Sequence, residues 1–391
     1  MKITFLTASL GSGGAERVVS LLANRMSEMG HQVEIICLMY DDVYYQTKPE
    51  VKLTVVPRVC PGSLIKRLFW LRRYVQKSGT EVCVAFTEGV YCATICALLG
   101  TGIPVIASER LDPHYMSWQR NLLKKIFLPH AAWLVVQTES IKAYFPKRIK
   151  KKTSVIYNPV REEVFENPSK DSRVQSSKCK GTASYDYSSH DFCHNSSKQT
   201  SLTDLVVPKI QSSKLNRIIS VARLYPQKNQ KMMIEAFAKI AGEFPDWQLV
   251  IYGEGPERNS LELLVKSLQL EGRVLLPGRT EHVIDELRIS KIFCLSSDYE
   301  GMSNSMIEAI CVGLPVVSTK VSGTEELITN GVDGFLVGVG NDKELANIFR
   351  RLLNDEGLRN RIGQSCMKKS SLFSIDSIVE QWYRLIISVA C

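Results

Sequence analysis

The chain contains no apolar run that approaches the roughly 18 to 20 residues of a membrane-spanning helix. Its first stretch, "MKITFLTASLGSGG", is broken by glycine too early to be a secretory signal and instead predicts a first strand. We therefore expect a protein that stays in the cytoplasm, where it is made.

The chain also lacks a C-x-x-C pair, although it has eleven cysteines. Several of them, including Cys37, Cys83 and Cys294, lie within apolar strand-like runs, where a free thiol packs as a small hydrophobic group. This use of cysteine is typical of a reducing compartment, and it predicts neither a disulfide framework nor a structural zinc site.

The dinucleotide fingerprint G-x-G-x-x-G is missing from the first glycine-rich turn. Gly11, Gly13 and Gly14 follow the predicted first strand, but Arg17 rather than a glycine stands three residues after Gly14. Glu34 is the only candidate for the acid that would bind a ribose there. The pattern therefore argues against a nicotinamide cofactor.

What the chain has is length and positive charge. With 391 residues it predicts two domains of roughly 150 to 200 residues each. The formal net charge of +9 favours anionic partners, which include nucleotides, nucleic acid and acidic lipid headgroups. Charge alone does not choose among these partners.

Short β-branched strands alternate with helices from the start of the chain. "KITFLTA", the amphipathic "AERVVSLLANRMSEMG" and "QVEIICL" predict a β-α-β unit, and further apolar runs continue the alternation. This pattern predicts an α/β class with a first doubly wound domain at 1–168. From 169 to 213 the sequence is rich in Ser, Lys and Asp, and it predicts a polar linker or insert.

The same alternation begins again after the insert and predicts a second doubly wound domain at 214–372. An amphipathic terminal helix at 373–391, with Trp382 and Tyr383, is expected to cross back to the first domain. Ligands of such sheets bind at the carboxyl ends of the strands. We therefore expect a single site in the cleft between two facing Rossmann-like domains.

Two groups of residues lie at predicted strand ends. Gly13 and Gly14 precede a helix, where backbone N–H groups can approach an anion. Arg223 and Lys228 share one loop and can both turn toward a phosphate pair. Each of these groups is also compatible with an ordinary turn or with a solvated basic loop.

Two carboxylates frame the segment "YEGMSNSMIEA". Glu300 lies in a loop that follows a strand, and Glu308 lies about one turn into a helix whose cap is Ser303 or Asn304. Both acids can therefore accept from the hydroxyls of one ligand, with backbone amides between them. The same Glu-x7-Glu interval at 235–243 and 254–262 lacks the strand and glycine loop and predicts helix-surface glutamates.

Six motifs together resemble a known family. They are "SLGSGGAERVV", "NPV" at 158–160, "ARLYPQKN", "YGEGPER", "EGMSNSMIEAICVGLPVVST" and "GVDGFLV". In combination they resemble the large retaining glycosyltransferase family 4, which has the two-domain GT-B fold. The resemblance covers nearly the whole chain except 169–213.

The resemblance implies roles for the cleft residues. Arg223 and Lys228 would hold the diphosphate of a nucleotide-sugar donor, Glu308 would bind ribose hydroxyls, and Glu300 would lie near the donor sugar as part of the catalytic set. Further contacts to the nucleotide sugar are expected from Gly13, Gly14, Arg279, Gly301, Met302, Ser303 and Asn304. The family works with retention and without a bound metal or other cofactor, and the chain has no D-x-D.

The chain departs from many relatives after the fourth strand of the first domain. "PVIASERLDP" places Ser108, Glu109 and Arg110 where those relatives carry a histidine. The Ser-Glu-Arg sequence at this position resembles that of bacterial enzymes that extend lipid-linked oligosaccharides, many of which handle N-acetylhexosamines. Glu109 is therefore a candidate carboxylate on the acceptor or catalytic side, the alternative being a structural salt bridge to Arg110 or Arg223.

A basic, aromatic segment in the first domain suggests where the acceptor lies. "SLIKRLFWLRRYVQK" has apolar residues near one helical face and cations elsewhere. It predicts contact with an anionic membrane surface, or alternatively an ordinary core-facing helix with a basic back. We therefore expect peripheral association with the inner face of the cell membrane.

The leading expectation is a transferase that moves a hexose or N-acetylhexosamine from a nucleotide-diphosphate donor, expected to be a UDP-sugar, to a lipid-linked glycan. The alternatives are a nucleotide-sugar epimerase of the same fold and a binding protein without turnover. Nucleic-acid binding is disfavoured because no recognition module appears in the sequence.

Overall fold

The structure, a computed structural model, describes residues 1–166 and 215–390, and these residues form two parallel sheets. The predicted polar insert at 169–213 lies outside the described residues. Each sheet is covered by helices on both faces, so the α/β class with two doubly wound sheets is confirmed.

The first lobe is built on a seven-stranded sheet in the order β3-β2-β1-β4-β5-β6-β7. Its strands are β1 (Lys2–Thr7), β2 (Gln32–Cys37), β3 (Lys52–Val55), β4 (Val82–Phe86), β5 (Val105–Ser108), β6 (Trp133–Val136) and β7 (Thr153–Val155). The order reverses between β1 and β4, where a crevice forms at the carboxyl ends of the strands. The edge strand β3 was not predicted, because four residues are too few to show alternation.

The helices of the first lobe are α1 (Gly14–Glu28), α2 (Val56–Val59), α3 (Leu64–Ser78), α4 (Glu88–Leu98), α5 (Trp118–Phe127), α6 (Glu139–Tyr144) and α7 (Lys147–Lys150). Nearly all of α4 is buried because it lies between α3 and α5 on one face of the sheet. Gly79 ends α3 in the left-handed conformation, with φ of 75°, which glycine adopts at little cost.

The second lobe repeats this plan in the order β10-β9-β8-β11-β12-β13. Its strands are β8 (Arg217–Val221), β9 (Gln248–Tyr252), β10 (Val274–Gly278), β11 (Ile292–Leu295), β12 (Val316–Thr319) and β13 (Phe335–Val337). Its helices are α8 (Gln230–Ala238), α9 (Arg258–Ser267), α10 (Val283–Arg288), α11 (Asn304–Cys311), α12 (Ser322–Glu325), α13 (Asp342–Asn354) and α14 (Glu356–Met367). The strand order reverses between β8 and β11.

The last helix, α15 (Ile375–Ala390), packs against the first sheet rather than the second. Its buried Trp382 stacks on Phe86 of β4, with ring centroids 5.7 Å apart. Full burial of such a side chain stabilises by about 1.5 to 3 kcal/mol. The C-terminal helix therefore ties the end of the chain to the lobe in which the chain begins.

Candidate active site

A hollow of about 460 Å³ lies between the two lobes at the carboxyl ends of their strands. The first lobe lines it with Ser12, Arg17 and Arg161, among others, and the second with Arg223, Gly253 and Arg279. Of the sixteen residues that line the hollow, four are arginines and two are glutamates. The hollow is therefore suited to a ligand that carries more than one negative charge.

Arg223 comes directly after β8 and borders this hollow, with its guanidinium 4.9 Å from the centre of the Tyr225 ring. The chain then makes a short 3₁₀ turn over Pro226–Lys228, and Asn229 takes the left-handed conformation with φ of 44°. The Asn229 side chain caps α8 by accepting from the Met232 amide at 3.2 Å. This turn holds Lys228 at the switch point between β8 and β11.

Lys228 forms an ion pair with Glu300, and both side chains are largely buried. Glu300 lies in the loop between β11 and α11, where its carboxylate also accepts from the Ser297 hydroxyl at 3.3 Å. Neither Lys228 nor Glu300 lines the hollow. The structure thus brings these two predicted residues together beside the hollow rather than within it.

Ser303, one of the two predicted candidates, is the cap of α11, and its hydroxyl accepts from the Met306 amide at 3.4 Å. Glu308 follows in the second turn, with only 1% of its surface exposed. Two arginines of the first lobe contact its carboxylate, Arg17 at 2.7 Å and Arg161 at 3.7 Å. Glu308 does not line the hollow itself, but the two arginines that contact its carboxylate do.

The backbone N–H groups of Gly301, Met302 and Ser303 donate no hydrogen bond to any group in the described part of the chain. They lie at the start of α11, where the positive end of the helix dipole favours an anion. A Cβ on Gly301 would stand 2.7 Å from the Arg110 carbonyl oxygen of the first lobe. Glycine is therefore required here for the close approach of the two lobes.

The glycine loop of the first lobe meets α11 directly. Asn304 donates to the Gly14 carbonyl at 3.2 Å, and a Cβ on Gly14 would lie 3.0 Å from the Asn304 amide nitrogen. Gly13 precedes α1, and a Cβ there would lie 2.1 Å from a carboxylate oxygen at the flexible end of the Glu16 side chain. The Glu16 carboxylate thus lies at the N-terminus of α1, where the sequence predicts that an anion such as a phosphate can approach.

Burial raises the pKa of Glu16, while its own backbone N–H and the Arg223 guanidinium act in the opposite direction. Successive residues of α1 thus stand near the two groups expected to hold a nucleotide. Glu16 is close to Arg223, and Arg17 pairs with Glu308.

Glu109 does not have the partners expected from the sequence. Its carboxylate has no exposed surface and pairs with Lys124 of α5 at 2.6 Å, instead of forming a salt bridge with Arg110 or Arg223. Tyr91 donates to it at 2.9 Å. Because this carboxylate is enclosed and paired and does not line the hollow, its position does not support the predicted acceptor-side or catalytic role.

A polar cluster that was not predicted from the sequence joins the lobes. Asn158 of the "NPV" motif accepts from Arg110 at 2.6 Å and from Gln137 at 2.8 Å, and it donates to Asn304 at 2.7 Å. Burial lowers the pKa of Arg110 to about 9, an effect that Glu109 opposes. The motif signalled that Asn158 matters, but only the fold shows which residues it contacts.

Arg17 and Arg161 were also missed, although Arg17 stands in the first turn after the glycine loop. Replacing Arg17 with alanine would leave the buried Glu308 carboxylate with Arg161 alone, at 3.7 Å. Removing one partner of a buried ion pair costs about 3 kcal/mol or more. We expect a clearly lower melting temperature in a thermal unfolding scan of the Arg17→Ala variant.

Arg25 provides a matched control on the same helix, since its ion pairs with Glu28 and Asp376 are substantially exposed. Exposed pairs contribute about 1 kcal/mol or less. Equal decreases in melting temperature for Arg17→Ala and Arg25→Ala would show that the ion pair between Arg17 and Glu308 does not join the lobes.

No three His, Cys, Asp or Glu side chains stand close enough to hold a metal ion among residues 1–166 and 215–390. Metal independence remains a prediction.

Two family models match consecutive parts of the chain. The model described as "Glycosyltransferase Family 4" matches residues 12–164, and the model described as "Glycosyl transferases group 1" matches residues 207–369. These segments contain the glycine loop in one case and the Arg223, Lys228, Glu300 and Glu308 set in the other.

Two similar proteins come from Campylobacter jejuni. One is an α-1,4-N-acetyl-D-galactosaminyltransferase named for the acceptor GalNAc-GalNAc-diNAcBac-PP-undecaprenol, with 28% identity over 100% of this chain and 99% of that protein. The other is a 4-α-N-acetylgalactosaminyltransferase named for a diphospho-undecaprenol acceptor, with 26% identity over 95% of each chain. Both similarities extend across the two lobes.

The fold is similar to that of Anabaena HepE, which was solved in complex with UDP and glucose. The TM-score is 0.76 at 20% identity, and the match covers 99% of this chain and 100% of HepE. Sucrose-phosphate synthase from Thermosynechococcus elongatus matches with a TM-score of 0.75 at 18% identity, covering 99% and 98% of the two chains. At these identities the likeness shows the GT-B fold alone.

Proposed function

Because the chain is a glycosyltransferase of the GT-B fold, we propose that it moves a sugar from a UDP-sugar donor to a lipid-linked glycan, with retention at the anomeric carbon. The transferred sugar is a hexose or an N-acetylhexosamine. The acceptor is a saccharide on a polyprenyl diphosphate, and transfer extends that saccharide in the synthesis of a surface polysaccharide or glycoconjugate.

The proposal depends on four residues at one switch point of the second sheet. They are Arg223, Lys228, Glu300 and Glu308. All four follow β8 or β11, opposite the glycine loop of the first lobe. The two cations and the amides at the start of α11 can bind the oxygens of a diphosphate. The two carboxylates can accept hydrogen bonds from sugar and ribose hydroxyls. The UDP bound to HepE is consistent with the choice of donor.

The chemistry follows from where charge develops. The bond between the anomeric carbon and the diphosphate oxygen breaks, and the acceptor hydroxyl oxygen bonds to the same carbon and loses its proton to the departing diphosphate. Lys228, Arg223 and the α11 amides stabilise the growing negative charge on this leaving group. Glu300 holds the donor sugar, so Lys228 must exchange its present partner for the diphosphate as the donor binds.

The choice of acceptor rests on the Campylobacter jejuni relatives, whose names specify undecaprenyl-diphosphate acceptors. An acceptor of this kind lies in a membrane. We accordingly place the protein at the inner face of the cell membrane, with α3 facing anionic lipid. This helix carries Lys66, Arg67, Arg72, Arg73 and Lys77 and no carboxylate residue.

A product assay tests the proposal. The protein is incubated with a panel of UDP-sugars and a polyprenyl-diphosphate glycan, and both the glycan and the free nucleotide sugar are analysed by mass spectrometry and NMR. A glycan longer by one α-linked residue supports the proposal. A converted free nucleotide sugar with an unchanged glycan would indicate an epimerase, and an inverted linkage would refute retention.

Replacing Glu308 with alanine is expected to weaken UDP binding by roughly tenfold to a hundredfold, because hydrogen bonds to a charged group contribute about 1.5 to 3 kcal/mol. Isothermal titration calorimetry with UDP measures the change. Glu235→Ala serves as the control, since Glu235 begins another Glu-x7-Glu interval and forms only a long pair with Lys231 on α8. Unchanged affinity in Glu308→Ala would remove Glu308 from the nucleotide site.

A further inference from the structure

The acceptor proposed above has a lipid end and a saccharide end. No helix in the two described ranges is long and apolar enough to span the membrane that holds the lipid end. The saccharide end must bring a hydroxyl group to the donor sugar, which Glu300 is proposed to hold. Side chains that lie beside Glu300 and are open to solvent are therefore within reach of that saccharide.

Two tyrosines stack on each other next to Glu300. Tyr299 directly precedes Glu300 in the loop between β11 and α11, and Tyr115 belongs to the first lobe, in a short 3₁₀ turn over Pro113–Tyr115. Their ring centroids are 4.9 Å apart, and the two rings lie within 14° of parallel. Tyr299 covers only one face of the Tyr115 ring, and 56% of the Tyr115 surface is exposed. An aromatic surface with a hydroxyl at its edge thus stands open beside the Glu300 loop.

His114 adds a polar group to this open turn. Its side chain is 54% exposed, and its Nδ1 lies 2.8 Å from a carboxylate oxygen of Asp112. The same oxygen accepts from the His114 amide at 3.0 Å, and the Tyr144 ring meets the imidazole edge to face, with centroids 4.9 Å apart. In the neutral imidazole, donation from Nδ1 to Asp112 leaves Nε2 as an acceptor that a ligand hydroxyl can use.

Asp112 joins this turn to the second lobe. Its side chain is nearly inaccessible, and its other carboxylate oxygen accepts from the Ser322 hydroxyl at 2.6 Å. The Ser322 hydroxyl oxygen also lies 3.0 Å from the Glu300 carbonyl oxygen. Both oxygens of Asp112 are thus engaged within the protein. Asp112 therefore holds His114 and the turn against the Glu300 loop and is not free to bind a ligand itself.

These features are complementary to a sugar ring. The C–H groups on one face of a pyranose can pack on an aromatic ring, while its hydroxyl groups require hydrogen-bond donors and acceptors. Small-ligand sites typically combine apolar and aromatic side chains with a few polar groups that fix the orientation of the ligand. His114 and Tyr115, two consecutive residues of one turn, supply both kinds of contact.

We propose that Tyr115, Tyr299 and His114 form the subsite for the terminal sugar of the acceptor. The sugar ring packs on the exposed aromatic surface of Tyr115, and one of its hydroxyl groups donates to His114 Nε2. This inference deepens the proposed function and rests on it for the identity of the saccharide as the acceptor. His114 binds a hydroxyl that does not react, because the reacting hydroxyl gives its proton to the departing diphosphate. Asp112 is a positioning residue, since it acts through His114.

Saccharide binding by the full chain tests this subsite without turnover. The probes are methyl glycosides of hexoses and N-acetylhexosamines, which carry no lipid, and saturation-transfer NMR in the presence of UDP measures their contact with the protein. We expect at least one glycoside to bind the unchanged chain. Tyr115→Leu should weaken this binding by about threefold to tenfold, whereas Tyr115→Phe retains the ring and should keep most of it.

Steady-state kinetics separate the acceptor from the donor. Tyr115→Leu and His114→Ala should each raise the KM for the acceptor by about threefold to tenfold, the loss expected for one ring contact or one hydrogen bond. The KM for the donor should not change. A tyrosine stack that only held the lobes together would instead raise both KM values, because the donor binds between the lobes.

His130→Ala is the matched control. His130 is exposed and precedes β6, at the opposite end of the first sheet from the cleft. Both KM values should equal those of the unchanged chain.

Asp112→Asn tests the positioning role. This change should raise the KM for the acceptor about as much as His114→Ala does, because the imidazole loses the partner that orients it. The double variant Asp112→Asn/His114→Ala should have no higher KM than either single variant, since residues in one hydrogen-bonded network are not additive. Additive increases would show that Asp112 does not act through His114.

Unchanged glycoside binding and unchanged acceptor KM in both Tyr115→Leu and His114→Ala would overturn the inference. Absence of saturation transfer from the unchanged chain to every glycoside would also overturn it. Failure of the proposed function gives a different result. Glycoside binding that is weakened by Tyr115→Leu, without sugar transfer to any acceptor, would refute the function and leave the saccharide subsite in place.

Discussion

Replacing Lys228 with alanine is expected to lower turnover by on the order of a hundredfold, the typical loss when one charge-stabilising donor is removed. Lys228 is largely buried and pairs with Glu300, so its ammonium group is already held at the switch point where the leaving diphosphate would lie. Steady-state kinetics with saturating donor and acceptor measure the effect on kcat.

Lys231→Ala is the control for this prediction. Lys231 lies in the first turn of α8, only three residues further along. It is well exposed and forms only a long pair with Glu235 at 3.8 Å. Its replacement should leave kcat within about twofold of the unchanged enzyme, as expected for a solvated surface charge. Normal turnover in Lys228→Ala would refute the role assigned to this side chain.

The second large effect is expected from Gly323→Ala. A Cβ at Gly323 would stand 1.7 Å from the carbonyl oxygen of Gly301 and 2.6 Å from its carbonyl carbon. Backbone atoms cannot yield as a flexible side chain does, so the loop that carries Glu300 must move. A displacement of about 1 Å at a reacting group costs on the order of a hundredfold, and we expect a loss of this size in kcat/KM.

Gly242→Ala tests whether the loss in Gly323→Ala reflects the loop rather than a general effect of alanine. A Cβ at Gly242 meets nothing within 4 Å, so activity and melting temperature should be unchanged. Circular dichroism of Gly323→Ala checks that the fold is retained. Full activity in a folded Gly323→Ala protein would show that the position of the Glu300 loop is not critical.

The fold was largely predictable because buried parallel strands are short, apolar and β-branched, and β1, β4, β8 and β11 all have this character. The preferences of helix N-termini narrowed the cap of α11 to Ser303 or Asn304, and the structure selects Ser303. The edge strand β3 has too few residues for periodicity to reveal it.

The pairing of charges was not predictable, because it depends on how elements distant in sequence come together. Glu308 meets Arg17 across the cleft, and Glu109 meets Lys124 on α5. The sequence suggested Arg110 or Arg223 as partners of Glu109, but the fold brings Lys124 of α5 against that carboxylate instead.

The most direct test of the account is a crystal structure of the chain with UDP. We predict that the diphosphate contacts Arg223, Lys228 and the amides of Gly301 to Ser303, that the ribose hydroxyls bind Glu308, and that the Glu16 carboxylate has moved away from Arg223. UDP bound with its phosphates distant from Arg223 and Lys228, or with its ribose away from Glu308, would contradict the account.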